Sequence, residues 1–263
     1  MRAQVSDKAT AVPYFAGLMA DDSSALIRSF AGEPELHDPI RGRVKGASAF
    51  ERFAHETKTW LAERSATFET VGLVLTRRRT VEETVLQLNT DGGRVELPVA
   101  VAADRDGDGR LVELRVYFST WPLTGGHAIR PPVLQLDPDA HTDDVVGDYQ
   151  RALARGDARA AANCFEPDGY FREPAGCQYI HRGHDSLRAH YETFFSNGGG
   201  VPLEHCAVAD DGKACALEYN VIRWGRTNLS PQAGIAVYVR GSGGRLAAAR
   251  VYDDSDPPLP HPL

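Results

Sequence analysis

The sequence predicts an α+β protein made of two tandem cone-shaped domains, each a curved antiparallel sheet wrapped around N-terminal helices. Two observations carry this. The first is an internal repeat: Tyr14 and Tyr149, Leu18 and Leu153, and Phe30 and Phe165 are each 135 positions apart. HDP at His37–Pro39 and REP at Arg172–Pro174 keep that offset, and so do GRLVELRVY from Gly109 and GRLAAARVY from Gly244. One offset recurring at both ends of a block marks a duplication. The second is the order of periodicities within each copy, helical first and alternating afterwards.

In the second copy, Thr142 to Cys164 places Val145, Val146, Tyr149, Leu153, Ala160 and Ala161 at helical spacings, with Asp143 and Asp144 in the first turn. Asp185 or Ser186 is expected to cap a shorter helix through Leu187, His190, Tyr191 and Phe194. Gly198–Gly200 and Pro202 are expected to end it. LEHCAVA, ACALEYNVIRW, AGIAVYVR and LAAARVY then read as strands, with turns at Asp210–Gly212 and Gly241–Gly244. Gly46 matches Gly183 at an offset of 137, so small compensating loop changes are expected between the helices. HAIRPPVLQLDPDAH, from His127 to His141, has three prolines and reads as the connection. The expected domains are 1–134 and 135–263.

Composition narrows the function. A net charge of −7 opposes a broad nucleic-acid surface. No apolar run approaches the roughly 18 residues of a membrane span, and the N-terminus has no signal-peptide core, which points to a cytoplasmic protein. Cys164, Cys177, Cys206 and Cys215 lack C-x-x-C spacing and read as free thiols. Asp104, Asp106, Asp108 and Gly109 imitate the start of an EF-hand loop. Arg115 stands where its closing Glu belongs, so a solvated hairpin is expected. His181, His184 and His190 are loosely spaced and read as satisfied or exposed, with no metal. No G-x-G-x-x-G, Walker loop or nucleophile elbow is present, and no cofactor is expected.

A first helix with Y-x-x-x-L, an E/D-P-x-G turn, a helix opened by G-x-x-x-L/F and strands ending G-R-L-x-x-x-R-V-Y together resemble the SnoaL-like group. That group belongs to the nuclear-transport-factor-like, ketosteroid-isomerase-like superfamily. The resemblance covers each copy over nearly its whole length, and the tandem arrangement is similar to that of polyether-type epoxide-opening cyclases. The motifs are specific for the fold and weak for the reaction.

The resemblance implies roles for particular residues. In ketosteroid isomerase, itself the standard illustration of carboxyl pKa tuning, a helix tyrosine donates to the oxyanion and a carboxylate before a proline moves the proton. These map to Tyr14 and Asp38 in the first copy and to Tyr149 and Glu173 in the second. The second oxyanion donor falls on Val101 and Ala236, both apolar, which argues against ketosteroid isomerisation itself. Strand parity puts Gln232, Gly234, Ala236 and Tyr238 on one face, and Val251 with Asp253 on another. By the same alignment Asp253 stands where the first copy has Phe118. Glu204 and Cys206 alternate with His205, and parity leaves both orientations open. It also makes Glu218 and Asn220 neighbours on one face, toward either the cavity or the domain interface.

The expected catalytic set is therefore Glu173, Tyr149, Asp253 and Glu204, with Gln232, Tyr238, Tyr219, Arg223 and His205 as substrate contacts. Tyr14 and Asp38 form a possible second site. Val99, Val101, Val116 and Phe118 make the first copy drier, a scaffold expected to replace the partner subunit of single-domain relatives as a pseudo-dimer, with further self-association open. The functional expectation is a cofactor-independent enzyme using carboxylate acid–base chemistry on a small apolar metabolite: epoxide opening, cyclisation or isomerisation, in a natural-product setting. A non-catalytic binding module and a structural interaction protein are the alternatives.

Overall fold

The computed structural model describes residues 14–19 and 24–255. The chain divides into two compact units, Met1–Phe118 and Ser119–Leu263. The division falls upstream of the boundary near residue 134 read from the proline pair. The reason is hydrogen bonding: Ser119, Thr120, His127 and Ala128 all bond the Asp254 carboxylate near the end of the second domain. Ala233 N–H also donates to the Arg130 carbonyl, and Asp137 N–H to that of His205.

The first domain runs α1 (Tyr14–Met19), α2 (Ser24–Arg28), β1 (Glu35–Asp38), β2 (Gly42–Lys45), α3 (Ala47–Glu63), β3 (Thr67–Leu75), β4 (Arg79–Thr90), β5 (Gly93–Arg105) and β6 (Leu111–Tyr117). The second begins with a short α4 (Trp121–Thr124), then α5 (Val145–Arg155), α6 (Ala158–Asn163), β7 (Phe165–Arg172), β8 (Ile180–Arg182) and α7 (His184–Phe194). It ends with β9 (Leu203–Asp210), β10 (Ala214–Trp224), β11 (Thr227–Arg240) and β12 (Leu246–Val251). Each domain is α+β, with one six-stranded curved sheet that does not close into a barrel.

The two sheets share one topology, β2-β1-β6-β5-β4-β3 and β8-β7-β12-β11-β10-β9. Their registers coincide at the offset of 135. Thr84 pairs with Val99 as Tyr219 does with Gly234, and Leu36 pairs with Leu114 as Phe171 does with Ala249. Even an irregularity is shared: the ladder slips beside Val71 in β3 and beside Cys206 in β9. A β-bulge is a specific backbone feature, and its recurrence at the same offset is structural evidence of duplication.

Several expectations are corrected. The helix read through Thr142–Cys164 is two helices, because Gly156 (φ 70°) closes α5 in the left-handed region and Asp157 accepts from Ala160 N–H as the cap of α6. A Cβ at Gly156 would lie 2.7 Å from the Gly199 carbonyl carbon, so the break is also a close backbone approach. Helix α7 starts at His184 after Gly183, without the side-chain cap expected from Asp185 or Ser186, and ends at Phe194 before the glycine run. Strand β11 begins at Thr227, not Ala233, because Gly225–Arg226 turns the chain directly from β10. Neither sheet is wholly antiparallel: β1 with β6 and β7 with β12 run parallel. The β7–β8 hairpin was not read from the sequence.

The Asp104–Gly109 segment is a hairpin turn. Asp106 Oδ1 accepts from Asp108 and Arg110 N–H, and Asp104 is paired with Arg79 and Arg115. All four cysteines are free thiols. Among the described residues no helix is long and apolar enough to cross a membrane.

Candidate functional site

The second domain encloses a cavity of about 120 Å³, lined by α5, α7, β7, β9–β12 and the segments 121–127 and 173–179. Its walls are mostly aromatic: Tyr149, Tyr191, Tyr219 and Tyr238 deep in the fold, and Phe171, Phe194 and Trp224 on the flanks. Four tyrosines project inward because α5 and α7 turn one face to the sheet, while residues 219 and 238 sit on the inward parity of β10 and β11.

Each deep hydroxyl is wired. Tyr191 donates to the Tyr149 hydroxyl oxygen at 3.0 Å, which leaves the Tyr149 proton free to donate elsewhere. Gln150 donates to the Tyr238 hydroxyl at 2.7 Å, with the same consequence. Burial raises the pKa of all four tyrosines, so they remain neutral donors.

Asp253 follows β12 and lies 6% exposed in the cavity wall. Tyr219 donates to its Oδ1 at 2.8 Å and Ile235 N–H to the same oxygen at 3.2 Å, while Ser255 Oγ reaches Oδ2 at 3.4 Å. Burial dominates these bonds and raises its pKa from 3.8 to about 7, with the neighbouring Asp254 charge adding to the rise. Because Oδ1 already accepts two hydrogen bonds, the proton of the neutral acid belongs on Oδ2. Space for this carboxyl exists only because residue 234 is glycine: a Cβ there would lie 2.5 Å from Asp253 Cγ, Asp253 Oδ2 and Tyr219 Cε2.

On the neighbouring parallel strand, Glu173 follows β7 and is held by histidines. The β7–β8 hairpin pairs Arg172 with Ile180, which sets His181 beside Glu173. His181 Nε2 lies 2.5 Å from Glu173 Oε1, and His190 Nδ1 lies 3.5 Å from the same oxygen. His190 is stacked on Phe171 and on His181, with ring centroids 5.0 and 3.9 Å apart. Burial, then the neighbouring His181, lowers its pKa to about 3, so His190 is a neutral imidazole. Its Nε2 has no hydrogen-bond partner among the described residues.

Glu173, His181 and His190 offer three ligand atoms within 4.8 Å of one another. The two imidazoles are only 26° from parallel, so their in-plane lone pairs do not converge on one point. The 2.5 Å Glu173–His181 spacing is also shorter than two ligands keep around a roughly 2.0–2.1 Å metal shell. Within the trio His181 and Glu173 are hydrogen-bonded, and His190 stacks on His181 with its Nδ1 3.5 Å from the same carboxylate oxygen. In the first domain Glu35, His37 and Glu113 also cluster, but Arg43 and Lys45 hold Glu35 and Arg115 holds Glu113.

Of the expected catalytic residues, the cavity brings together Tyr149, Glu173 and Asp253. Glu204 is not among them. Leu203 lines the cavity, so alternation turns Glu204 to the other face, where it is paired across the ladder with Asn220. Glu218 and Asn220 lie on that same outer face, since Tyr219 and Val221 point inward. Tyr219 and Tyr238 line the cavity as expected. His205 lies behind it, 3.4 Å from the Gln150 amide oxygen; Gln232 is buried outside the lining, and Arg223 is exposed.

In the first domain Thr84, Val99 and Phe118 occupy the positions of Tyr219, Gly234 and Asp253. Tyr14 is buried, and burial followed by the Asp38 charge raises its pKa. Asp38 accepts from Ile40 and Arg41 N–H at 2.9 and 2.8 Å and so closes the β1–β2 turn. The sequence reading missed His181, His190, Tyr191, Trp121 and His127 as site residues. Tyr191 and His190 carried a signal in their place on one face of α7, and His181 in its grouping with His190, which was read as satisfied or exposed.

Residues 146–249 match the family model of the SnoaL-like domain. No curated protein matches the sequence. Among solved structures the chain is similar to a putative polyketide cyclase from Sinorhizobium meliloti, with 20% identity over 42% of this chain and 94% of that one and a TM-score of 0.36. It is similar to an NTF2-like protein of unknown function from Cytophaga hutchinsonii, at 14% identity over 40% and 88% of the two chains and a TM-score of 0.34. An epoxide hydrolase/cyclase-like enzyme of pyran-ring formation in the polyether salinomycin matches at 16% identity over 39% and 82%, with a TM-score of 0.33.

Proposed function

We propose that the second domain is an acid–base enzyme acting on a small, largely apolar metabolite by epoxide opening, cyclisation or double-bond isomerisation. The observation that carries this reading is a buried carboxyl group, Asp253, whose pKa is raised to about 7, in the same aromatic cavity as a histidine-held carboxyl group, Glu173. A carboxyl group whose burial raises its pKa to about 7 can act as an acid beside a second carboxyl group that acts as a base.

In this reading Asp253 delivers its Oδ2 proton to the substrate oxygen as a C–O bond opens or an enol forms. Tyr149 donates to the same developing negative charge, backed by Tyr191. Glu173 takes a proton from the attacking hydroxyl, from water or from carbon, and His181 and His190 hold its carboxylate in place. The volume sets a limit. At about 120 Å³ the enclosed space is close to the roughly 150 Å³ that accommodates benzene, so about one ring of the substrate reacts inside and the remainder extends outward.

The test is mass spectrometry of a metabolite extract incubated with the wild type, Glu173→Gln and Asp253→Asn. Conversion by the wild type alone supports the reading, and the mass change names the class: zero for isomerisation or cyclisation, one added water for hydrolysis. One compound retained unchanged by all three proteins would sink it in favour of a binding module.

A further inference from the structure

We propose that residues 119–128, which lie between the two repeats in sequence, form a fixed cap of the second domain's cavity, with the Trp121–His127 pair as a binding surface for an uncharged planar ring of the ligand. The proposal rests on the cavity being the ligand site and adds to it an element that the repeat itself does not contain.

Four observations support it. Trp121 and His127 both line the cavity, although they lie outside the sheet and helices that make the cone. Their rings are stacked, with centroids 4.9 Å apart and planes 25° from parallel, so each braces the other and an outer ring face is left for a ligand. The segment is pinned by a single buried carboxylate, 4% exposed. Asp254 accepts from Ser119 Oγ at 2.5 Å, Thr120 N–H and Oγ at 2.8 Å each, Ala128 N–H at 2.8 Å and His127 at 2.7 Å. Burial alone would raise the pKa of that carboxyl, yet the bonds from His127, Ser119, Ala128 and Thr120 together hold it low and ionised. Finally, Asp253 and Asp254 are consecutive, so one short stretch of backbone points the acid into the cavity and clamps the cap outside it.

The chemistry of the surface selects the ligand. An indole stacked on an imidazole favours a flat π-system. Glu173 and the clamped Asp254 carboxylate disfavour an anion, and among the described residues the lining holds no lysine or arginine to offset one. An uncharged aromatic or conjugated ring bearing an acceptor oxygen satisfies both conditions.

Acetophenone, one ring with one carbonyl, is the probe. The ¹⁵N-labelled full-length protein has three indole signals, from Trp60, Trp121 and Trp224. Trp224 lines the cavity wall, Trp121 the cap, and Trp60 lies in α3 of the first domain. Trp121→Phe and Trp224→Phe assign the signals. The expected result is that Trp121 and Trp224 shift together along one binding curve while Trp60 stays fixed. Asp254→Asn, which releases the clamp, is expected to weaken binding roughly fivefold by lowering the population of the closed cap, with the Trp224 shift retained. A Trp224 shift without a Trp121 shift, or unchanged affinity in Asp254→Asn, would overturn the cap and leave the cavity intact as a ligand site. No shift at either residue would overturn the cavity reading as well.

Discussion

Replacing Asp253 by asparagine removes one titration and little else. Asn keeps an oxygen to accept from Tyr219 and Ile235 and occupies nearly the same volume beside Gly234. In the wild type the folded-state pKa of about 7 lies above the ordinary value of 3.8. Between these values the native protein holds a proton that the unfolded chain has released, so stability falls as pH rises from about 4 to about 7 and is flat above. At 1.36 kcal/mol per unit, the full effect is about 4 kcal/mol, of which about 3 kcal/mol falls between pH 4.5 and pH 8. Other carboxylates titrate alike in both proteins and cancel in the difference. Urea unfolding at the two pH values, followed on the Trp224 signal of the second domain, measures it. Asp253→Asn should gain about 3 kcal/mol relative to wild type on going from pH 4.5 to 8. A difference constant within about 0.5 kcal/mol would mean that Asp253 ionises normally in the native state, and the acid role would fall with it.

Further expectations follow from the same contacts. Gly234→Ala forces a methyl into the Asp253 carboxyl and should cost about 1–3 kcal/mol by overpacking, read as a lowered Tm. Tyr149→Phe removes the free donor and the acceptor of Tyr191, and should lower turnover by about 100-fold or more while costing about 1–3 kcal/mol of stability; retained turnover would remove Tyr149 from the mechanism. Activity should fall as pH rises through about 7, where Asp253 loses its proton, and a rate unchanged up to pH 9 would contradict that assignment. Asp38→Asn in the first domain should leave turnover intact, because Asp38 closes a turn there; lost turnover would mean that the first domain is a second active site.

How much of this was legible in the sequence differs by element. The duplication was visible because both copies keep the same residues at both ends of the fold, and the sheet registers carry that offset through to the bulge beside Val71 and Cys206. Asp253 was readable as a cavity residue from strand parity and its substitution for Phe118. The β7–β8 hairpin was not. FEPDGYFR contains Pro167 and Gly169, which argue against a regular strand, and β8 is only three residues long. Gly169 is in fact required there, since a Cβ would meet the Leu246 carbonyl oxygen at 2.7 Å. Without that hairpin nothing in the sequence places His181 against Glu173. Trp121 and His127 were hidden for another reason. They lie in a proline-rich, non-periodic stretch, and only the distant Asp254 decides which domain they join.

The central claim is a carboxyl group in the cavity that keeps its proton up to about pH 7, and the direct measurement is its titration. Protein carrying ¹³C-labelled aspartate, with Asp253→Asn to assign the signal, can be followed by NMR from pH 3 to 9. The account predicts that the Asp253 carboxyl carbon titrates near pH 7, with Asp254 already ionised below the ordinary aspartate range. A midpoint near 4 for Asp253 would contradict it, since Asp253 would then be ionised in the cavity and could not act as the acid.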